Sequence, residues 1–349
     1  MKVIIPCCGS SSRFPDLPPK WMLPDHTGRP MIKEAISMLE VAESDIIVTA
    51  LAEHERKFQI VRGLKKSLGN SIRVVLLEEK TKSQSETVYK TLEATELAEP
   101  FLVKDSDNCF RISDIKSDDN YVCYDSLNNH SLINPRNKSY LQMDGQGTII
   151  NIKEKLVISD TFSVGGYHFT DPAYFKETYL KLNKLTAVDP KELYLSDVIL
   201  SMLIEGALFK GNPVTAYQDW GTVQDWKRFL LSKKTYFVAL DGYVFERGSE
   251  YFEPTFENAK PHGKSVENLK NLANLGHAVI LLSIRPRKYA EVTNRHLSEL
   301  GLGDLTVVYD CPLSKWELIT PPYQGIGFRT CDSHEIDPLA ADAMDRLIQ

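Results

Sequence analysis

Short runs of branched apolar residues recur along the chain, and stretches with helical spacing of apolar positions lie between them. Val3 to Ile5, Asp45 to Ala50, Ile72 to Leu77 and Phe101 to Val103 read as buried strands. Met31 to Val41, Glu53 to Leu68 and Glu86 to Leu97 place apolar residues three and four apart, which predicts helices. Strand and helix in alternation predict an α/β fold, with a Rossmann-like, mainly parallel sheet covered by helices on both faces. From Tyr121 to Phe169 the pattern changes to short strands and turns, with turn signals at Asp144-Gly145 and Gly165-Gly166. An insertion of this kind suits a substrate platform beside a parallel sheet. A helical stretch around Pro190 to Glu205 follows, and then the segment Ala216 to Trp226.

A second cycle begins near Lys233. Strands are expected at Tyr236 to Leu240, Ala278 to Ser283 and Leu305 to Tyr309, with helices at Val266 to Leu275 and Lys288 to Leu300. This smaller α/β unit is long enough for its own core. The expected domains are 1–231 and 232–349, with Leu231-Ser232-Lys233-Lys234 as the seam and no internal repeat.

Composition narrows the class. With 42% hydrophobic and 25% charged residues, the chain is neither disordered nor collagen-like. Forty-one basic against 47 acidic residues, a net charge of -6 without a basic block, argue against nucleic acid as a partner. No apolar run reaches the ~20 residues that span a bilayer, so no membrane partner is expected. Met1 leads straight into the first strand with no signal peptide, and six cysteines without a C-x-x-C pair form no disulfide framework. A reduced, cytoplasmic protein is the expectation.

The first strand ends in Pro6-Cys7-Cys8-Gly9-Ser10-Ser11-Ser12-Arg13-Phe14. Small residues after a first strand let backbone N–H groups close around phosphate oxygens. Arg13 offers a planar donor fork for a triphosphate, and Lys20 adds a second cation. The string is neither a Gly-x-Gly-x-x-Gly fingerprint nor a Walker loop. Downstream, Lys104-Asp105-Ser106-Asp107-Asn108 follows a strand, on the side where such sheets bind ligands. Hard carboxylate oxygens there suit Mg²⁺ bridging a triphosphate.

Together, Ile5-Pro6, Gly9-Ser10-Ser11-Ser12-Arg13-Phe14, Pro19-Lys20, Met22-Leu23 and Gly28-Arg29-Pro30-Met31-Ile32 resemble the opening of sugar-phosphate nucleotidyltransferases, the pyrophosphorylases that make nucleotide sugars. Cys7-Cys8 and the three serines depart from the family's glycine-rich form, although capsule-locus members carry a similar Ser-Ser-Arg-Phe. The resemblance implies that Pro6, Gly9, Ser10, Ser11 and Ser12 bind the nucleotide with Arg13, and that Lys20 contacts phosphates at the reacting centre. Gln84-Ser85 falls where the family reads the base. Asp219, in Gln218-Asp219-Trp220-Gly221-Thr222, resembles the family's second metal aspartate, so Asp107 and Asp219 would share Mg²⁺. Asp105 stays open as an alternative to Asp107. Glu154-Lys155 resembles the pair that meets the sugar and its 1-phosphate; Gly165-Gly166-Tyr167 resembles a sugar-pocket turn, with Gly166 as its contact. Glu192 falls at a sugar-hydroxyl acceptor.

The implied reaction is in-line attack of a sugar-1-phosphate, or a similar phosphorylated polyol, on the α-phosphorus of a nucleoside triphosphate. Positioning and charge neutralisation dominate such transfers, with Arg13, Lys20 and Lys155 as the catalytic cations. The partners are these two substrates, with self-association left open. From Phe237 to Phe245 the chain resembles the start of haloacid-dehalogenase-type phosphatases, with Ser283 and Lys315 in their second and third motifs. Ala239 stands at the nucleophile position, so a degenerate domain is expected, in which Asp241 shares a strand face with Ala239. A bifunctional enzyme and a non-catalytic regulatory protein are the competing readings.

Overall fold

The computed structural model describes residues 1–9, 17–115, 118–130, 134–186, 192–312 and 314. Ser10, Ser11, Ser12 and Arg13 lie outside the described residues, as does Lys315. The chain divides into two compact units, the first Met1–Trp226 and the second from Lys227 onward.

In the first unit, β1 (Lys2–Pro6), β2 (Ile46–Leu51), β3 (Arg73–Leu77) and β4 (Phe101–Lys104) run parallel in the order β3-β2-β1-β4. Helices α1 (Met31–Ile36), α2 (Ala52–Phe58), α3 (Ile60–Leu68) and α4 (Gln84–Thr95) connect them. The remaining strands are β5 (Asn108–Ile112), β6 (Asn120–Ser126), β7 (Ser139–Met143), β8 (Ile149–Glu154), β9 (Thr161–Phe169) and β10 (Phe209–Asp219). They extend the sheet as β4-β9-β6-β10-β5, with β7 and β8 branching from β9. Helices α5 (Pro172–Thr186) and α6 (Leu195–Ile204) precede β10, and α7 (Val223–Ser232) follows it.

The expectation of a mainly parallel sheet needs correction. β9 pairs antiparallel with β4, β6 and β7, and β10 with β5. The segment from Tyr121 to Phe169 is therefore built into the large sheet itself. Its hairpin-like connections lack the helical crossovers that parallel neighbours need.

Alternation along β1 shows why helices cover both faces. Val3 and Ile5 join one core cluster with Ile32 of α1 and Ile60, Leu64 and Leu68 of α3. Ile4 joins the other, with Val88 and Leu92 of α4, Phe175 and Tyr179 of α5, and Val198 and Met202 of α6. A one-residue slip in β1 would exchange these two sets. The helix expected over Glu53 to Leu68 is broken at Gln59, whose φ of 52° is left-handed. α5 was not foreseen, although Phe175, Tyr179 and Leu182 have helical spacing.

The second unit holds β11 (Thr235–Ala239), β12 (Ala278–Leu282) and β13 (Thr306–Val308), all parallel, with α8 (Gly263–Asn274) and α9 (Ala290–Glu299). Each agrees with the expected element to within a few residues. Leu240, Val244, Leu269, Leu272, Leu281 and Leu297 form its core. β11 ends at Ala239, so Asp241 lies in the following turn and the strand-face argument does not reach it. Its carboxylate is buried, accepting from Arg285 Nε at 2.7 Å and Ser283 Oγ at 2.9 Å. Arg285 is fully buried and also donates to the Phe256 carbonyl at 3.0 Å and Thr293 Oγ1 at 3.2 Å. Its guanidinium lies 4.9 Å from the Phe245 ring centroid. Oδ1 of Asp241 thus serves a core ion pair and Oδ2 a hydroxyl hydrogen bond, the partners a buried charge requires.

Candidate active site

β1 leads to β2 on one side and neighbours β4 on the other, so the strand order reverses between β1 and β4. Loops at the carboxyl ends of such strands diverge and leave a crevice. A cavity of about 730 Å³ opens there, lined by Pro6, Cys7 and Gly9 after β1 and by Asp105 to Asn108 after β4. The platform strands supply Lys138, Glu154, Lys155 and Gly165, and β10 ends in it with Asp219.

Buried Lys104 shapes the acidic loop. Its ammonium donates to the Asp105 carbonyl at 2.7 Å, the Asn108 carbonyl at 2.8 Å and Asn108 Oδ1 at 2.6 Å. Burial pulls this amine down to about 8, and the three acceptors compensate for the lost water. The bend that results turns both Asp105 and Asp107 to the cavity.

The two aspartates have different partners. Asp107 accepts from Lys20 Nζ, whereas Asp105 accepts from the Gln84 amide, which α4 carries in its first turn. Burial and the nearby Asp107 carboxylate push the Asp105 carboxyl up to about 6. Asp219 pairs across the ladder with Asn108, and Trp220 N–H donates to the Asp107 carbonyl at 2.8 Å. Asp107, just before β5, and Asp219, at the end of its neighbour β10, therefore meet one cavity, with Asp219 bound by Lys138 Nζ at 2.5 Å.

Two carboxylates on one wall fit a divalent cation that completes its shell with water and substrate phosphates, the usual manner of Mg²⁺. Among the described residues no group of three or more His, Cys, Asp or Glu side chains is placed to hold a metal ion by itself.

Glu154 ends β8 and Lys155 follows it. Glu154 Oε2 accepts from Ser139 Oγ and from Ser196 Oγ at 3.1 Å. Lys155, at a left-handed φ of 55°, aims its ammonium at Tyr194 Oη, 2.6 Å away, and lies 4.4 Å from that ring's centroid. This hydrogen bond raises the Lys155 pKa. Tyr194 Oη in turn donates to Glu192 at 2.7 Å.

Pro6, Gly9, Lys20, Gln84, Asp107, Glu154, Lys155, Glu192 and Asp219 thus surround one cavity. Ser85 and Gly166 do not line it. Ser85 is buried and its hydroxyl donates to the Leu193 carbonyl, tying α4 to the start of α6. Gly166 faces Cys123 and Phe110, where a side chain would collide. Its neighbour Gly165 borders the cavity instead, with a φ of 83° and the Asp105 carboxylate where a Cβ would stand.

Sequence reasoning overlooked Lys138, Tyr194, Lys80 and Lys82, all of which line the cavity. Gln84 is adjacent to Lys82-Ser83, but nothing in Asn137-Lys138-Ser139 distinguishes that lysine from a solvated one. Cys7 and Cys8 are buried and their thiols are pushed up, chiefly by burial, so neither is a ready nucleophile.

No model of a known protein family matches the sequence, and no curated protein matches it. Solved structures do. A nucleoside-diphosphate-sugar pyrophosphorylase from Vibrio cholerae RC9 superposes with a TM-score of 0.57 at 19% identity, covering 66% of this chain and 99% of that one. A UDP-glucose pyrophosphorylase complexed with UDP-glucose gives 0.50 at 17% identity, covering 66% and 97%. The inositol-1-phosphate CTP transferase of T. maritima gives 0.50 at 14%, covering 65% and 94%. The likeness shows that about two thirds of this chain has the fold of these enzymes. Among the described residues no helix is long and apolar enough to cross a membrane.

Proposed function

We propose that the first unit is a nucleotidyltransferase that joins a nucleoside triphosphate to a sugar-1-phosphate or similar phosphorylated polyol and releases pyrophosphate. The observation that carries this reading is the single cavity with Asp107 and Asp219 on one wall, each held by a lysine, and Lys155 on the platform side. Two strongly anionic reactants need such divided cations, because their mutual repulsion opposes approach.

Lys155 draws the sugar-1-phosphate to the α-phosphorus, and an oxygen of that phosphate attacks in line with the departing pyrophosphate. The attacking oxygen is already ionised, so no general base is needed. Lys20 and Arg13 neutralise the charge that accumulates on the leaving group. Asp107 and Asp219 would hold Mg²⁺, which supplies charge neutralisation on the phosphates when bound. Gln84, fixed by Asp105, faces the nucleotide, while Glu154 and Glu192 accept hydroxyl protons of the sugar. The kinship with capsule-locus enzymes rests on Ser11-Ser12-Arg13-Phe14 alone. The test is pyrophosphate release from the purified chain with Mg²⁺, offering each triphosphate against a panel of sugar-1-phosphates and inositol-1-phosphate. Release with at least one pair is expected; none with any pair would leave a binding protein.

The second unit is, on this reading, a haloacid-dehalogenase-like domain without hydrolase activity. Ala239 has no group to attack phosphorus, and Asp241 is committed to Arg285 and Ser283. The full chain should not release phosphate from p-nitrophenyl phosphate or sugar phosphates. Turnover that persists through purification and vanishes in Asp241→Asn would contradict this.

A further inference from the structure

The platform carries a second lysine that the proposed mechanism does not use. Lys138 stands immediately before β7, and Ser139 pairs with Glu154 across the β7–β8 ladder. Lys155 N–H donates to the Lys138 carbonyl at 2.9 Å, so the two lysines flank one end of the hairpin. Their ammonium groups point to different partners. Lys155 reaches Tyr194 on the sugar side, whereas Lys138 reaches Asp219 at 2.5 Å and Tyr217 Oη at 2.8 Å. The Lys138 side chain is 11% exposed, and its ammonium lies 5.4 Å from the Tyr217 ring centroid and 5.7 Å from that of Phe162. A lysine this enclosed has given up most of its water for those contacts.

We propose that Lys138 is the resident counter-ion of Asp219 and is exchanged for the divalent cation when the substrates bind, its ammonium passing to their phosphate oxygens. The inference deepens the proposed nucleotidyl transfer and rests on it.

Charge balance carries the argument. Asp107 precedes β5 and Asp219 ends the adjacent β10, and two carboxylates in one partly buried wall require positive charge nearby. Each has a lysine: Lys20 for Asp107 and Lys138 for Asp219. A divalent cation arriving alone must displace the ammonium from its ion pair with Asp219. A triphosphate arriving with the cation supplies another anion, so the lysine leaves Asp219 without becoming an unpaired charge. Cation and triphosphate should therefore bind interdependently, and a thermodynamic coupling of this kind is reciprocal. Lys138 would then work beside Lys155, two cations on one hairpin facing the anionic reactants.

The experiment measures Mn²⁺ binding to the full chain by electron paramagnetic resonance, with and without inorganic tripolyphosphate, for the parent and Lys138→Met. Without tripolyphosphate the variant should bind Mn²⁺ about tenfold more tightly, because the competing ammonium is gone. Tripolyphosphate should raise the parent's Mn²⁺ affinity by about tenfold or more, and the variant's by distinctly less. Lys138→Arg should behave as the parent, and Lys138→Met/Asp219→Asn should lose the gain. Equal Mn²⁺ affinity of parent and Lys138→Met without tripolyphosphate would overturn the proposal, as would a gain that survives Asp219→Asn. Lys138→Gln serves in place of Lys138→Met should that variant melt early. Failure of nucleotidyl transfer is a separate result: it shows in the pyrophosphate assay, while the Mn²⁺ comparison still decides the role of Lys138.

Discussion

Asp107→Ala and Asp219→Ala should each lower kcat/KM for nucleotidyl transfer by about 10³-fold or more, in a protein that still folds but melts at a lower temperature. On the proposed metal assignment the kinetic loss follows from two carboxylates, one just before β5 and one ending β10, neither of which can replace the other. The thermal effect has an equally local reason. The side chains of Asp107 and Asp219 are 12% and 23% exposed, and the lysines left behind, Lys20 and Lys138, are 21% and 11% exposed. Removing one of the two carboxylates relieves repulsion, which offsets part of the cost of leaving its enclosed lysine without that partner. Steady-state pyrophosphate release and thermal melts on the same preparations check both halves. Turnover within a few-fold of the parent in either variant would rule out the metal assignment.

The second large effect is expected at Lys155. Lys155→Ala should cut kcat/KM for the sugar phosphate by roughly 10²-fold while the triphosphate KM changes little. Arg13→Ala should show the converse, a loss carried by the triphosphate. The reason lies in the partners: Lys155 bonds to Tyr194, which bonds to Glu192, the residue proposed to meet the sugar. Because Lys155 occupies a left-handed backbone position, Lys155→Asn is a useful companion that tolerates that φ while removing the ammonium. Sugar-phosphate kinetics untouched in both variants would make the residue structural.

The parallel half of the sheet was legible because its strands are short branched runs buried on both faces, as Val3 to Ile5 and Ile46 to Leu51 show. The antiparallel half was not. β9 is buried along nearly its whole length, so its residues carry no alternation to disclose which way it runs or what it pairs with. The break at Gln59 is a backbone event inside an unbroken apolar pattern, invisible to spacing. At the site, Gly9, Lys20, Asp107, Glu154, Lys155 and Asp219 lay in ordered motifs and converge on one cavity. Lys138 and Tyr194 gain their meaning only from partners 81 and 39 residues away. Ser85 and Gly166 show the opposite limit, since adjacent residues in a motif face different directions.

The space beside Gly165 has a further consequence. The Asp105 carboxylate fills the volume that any side chain at position 165 would need, and Gln84 holds it there. Positions 105 and 165 are thus one position in design terms, although sixty residues of chain separate them. A mutagenesis library that varies 165 alone samples mostly collisions. One that shortens residue 105 at the same time opens new room in the cavity wall, and on the proposed function that is where substrate range could be redrawn.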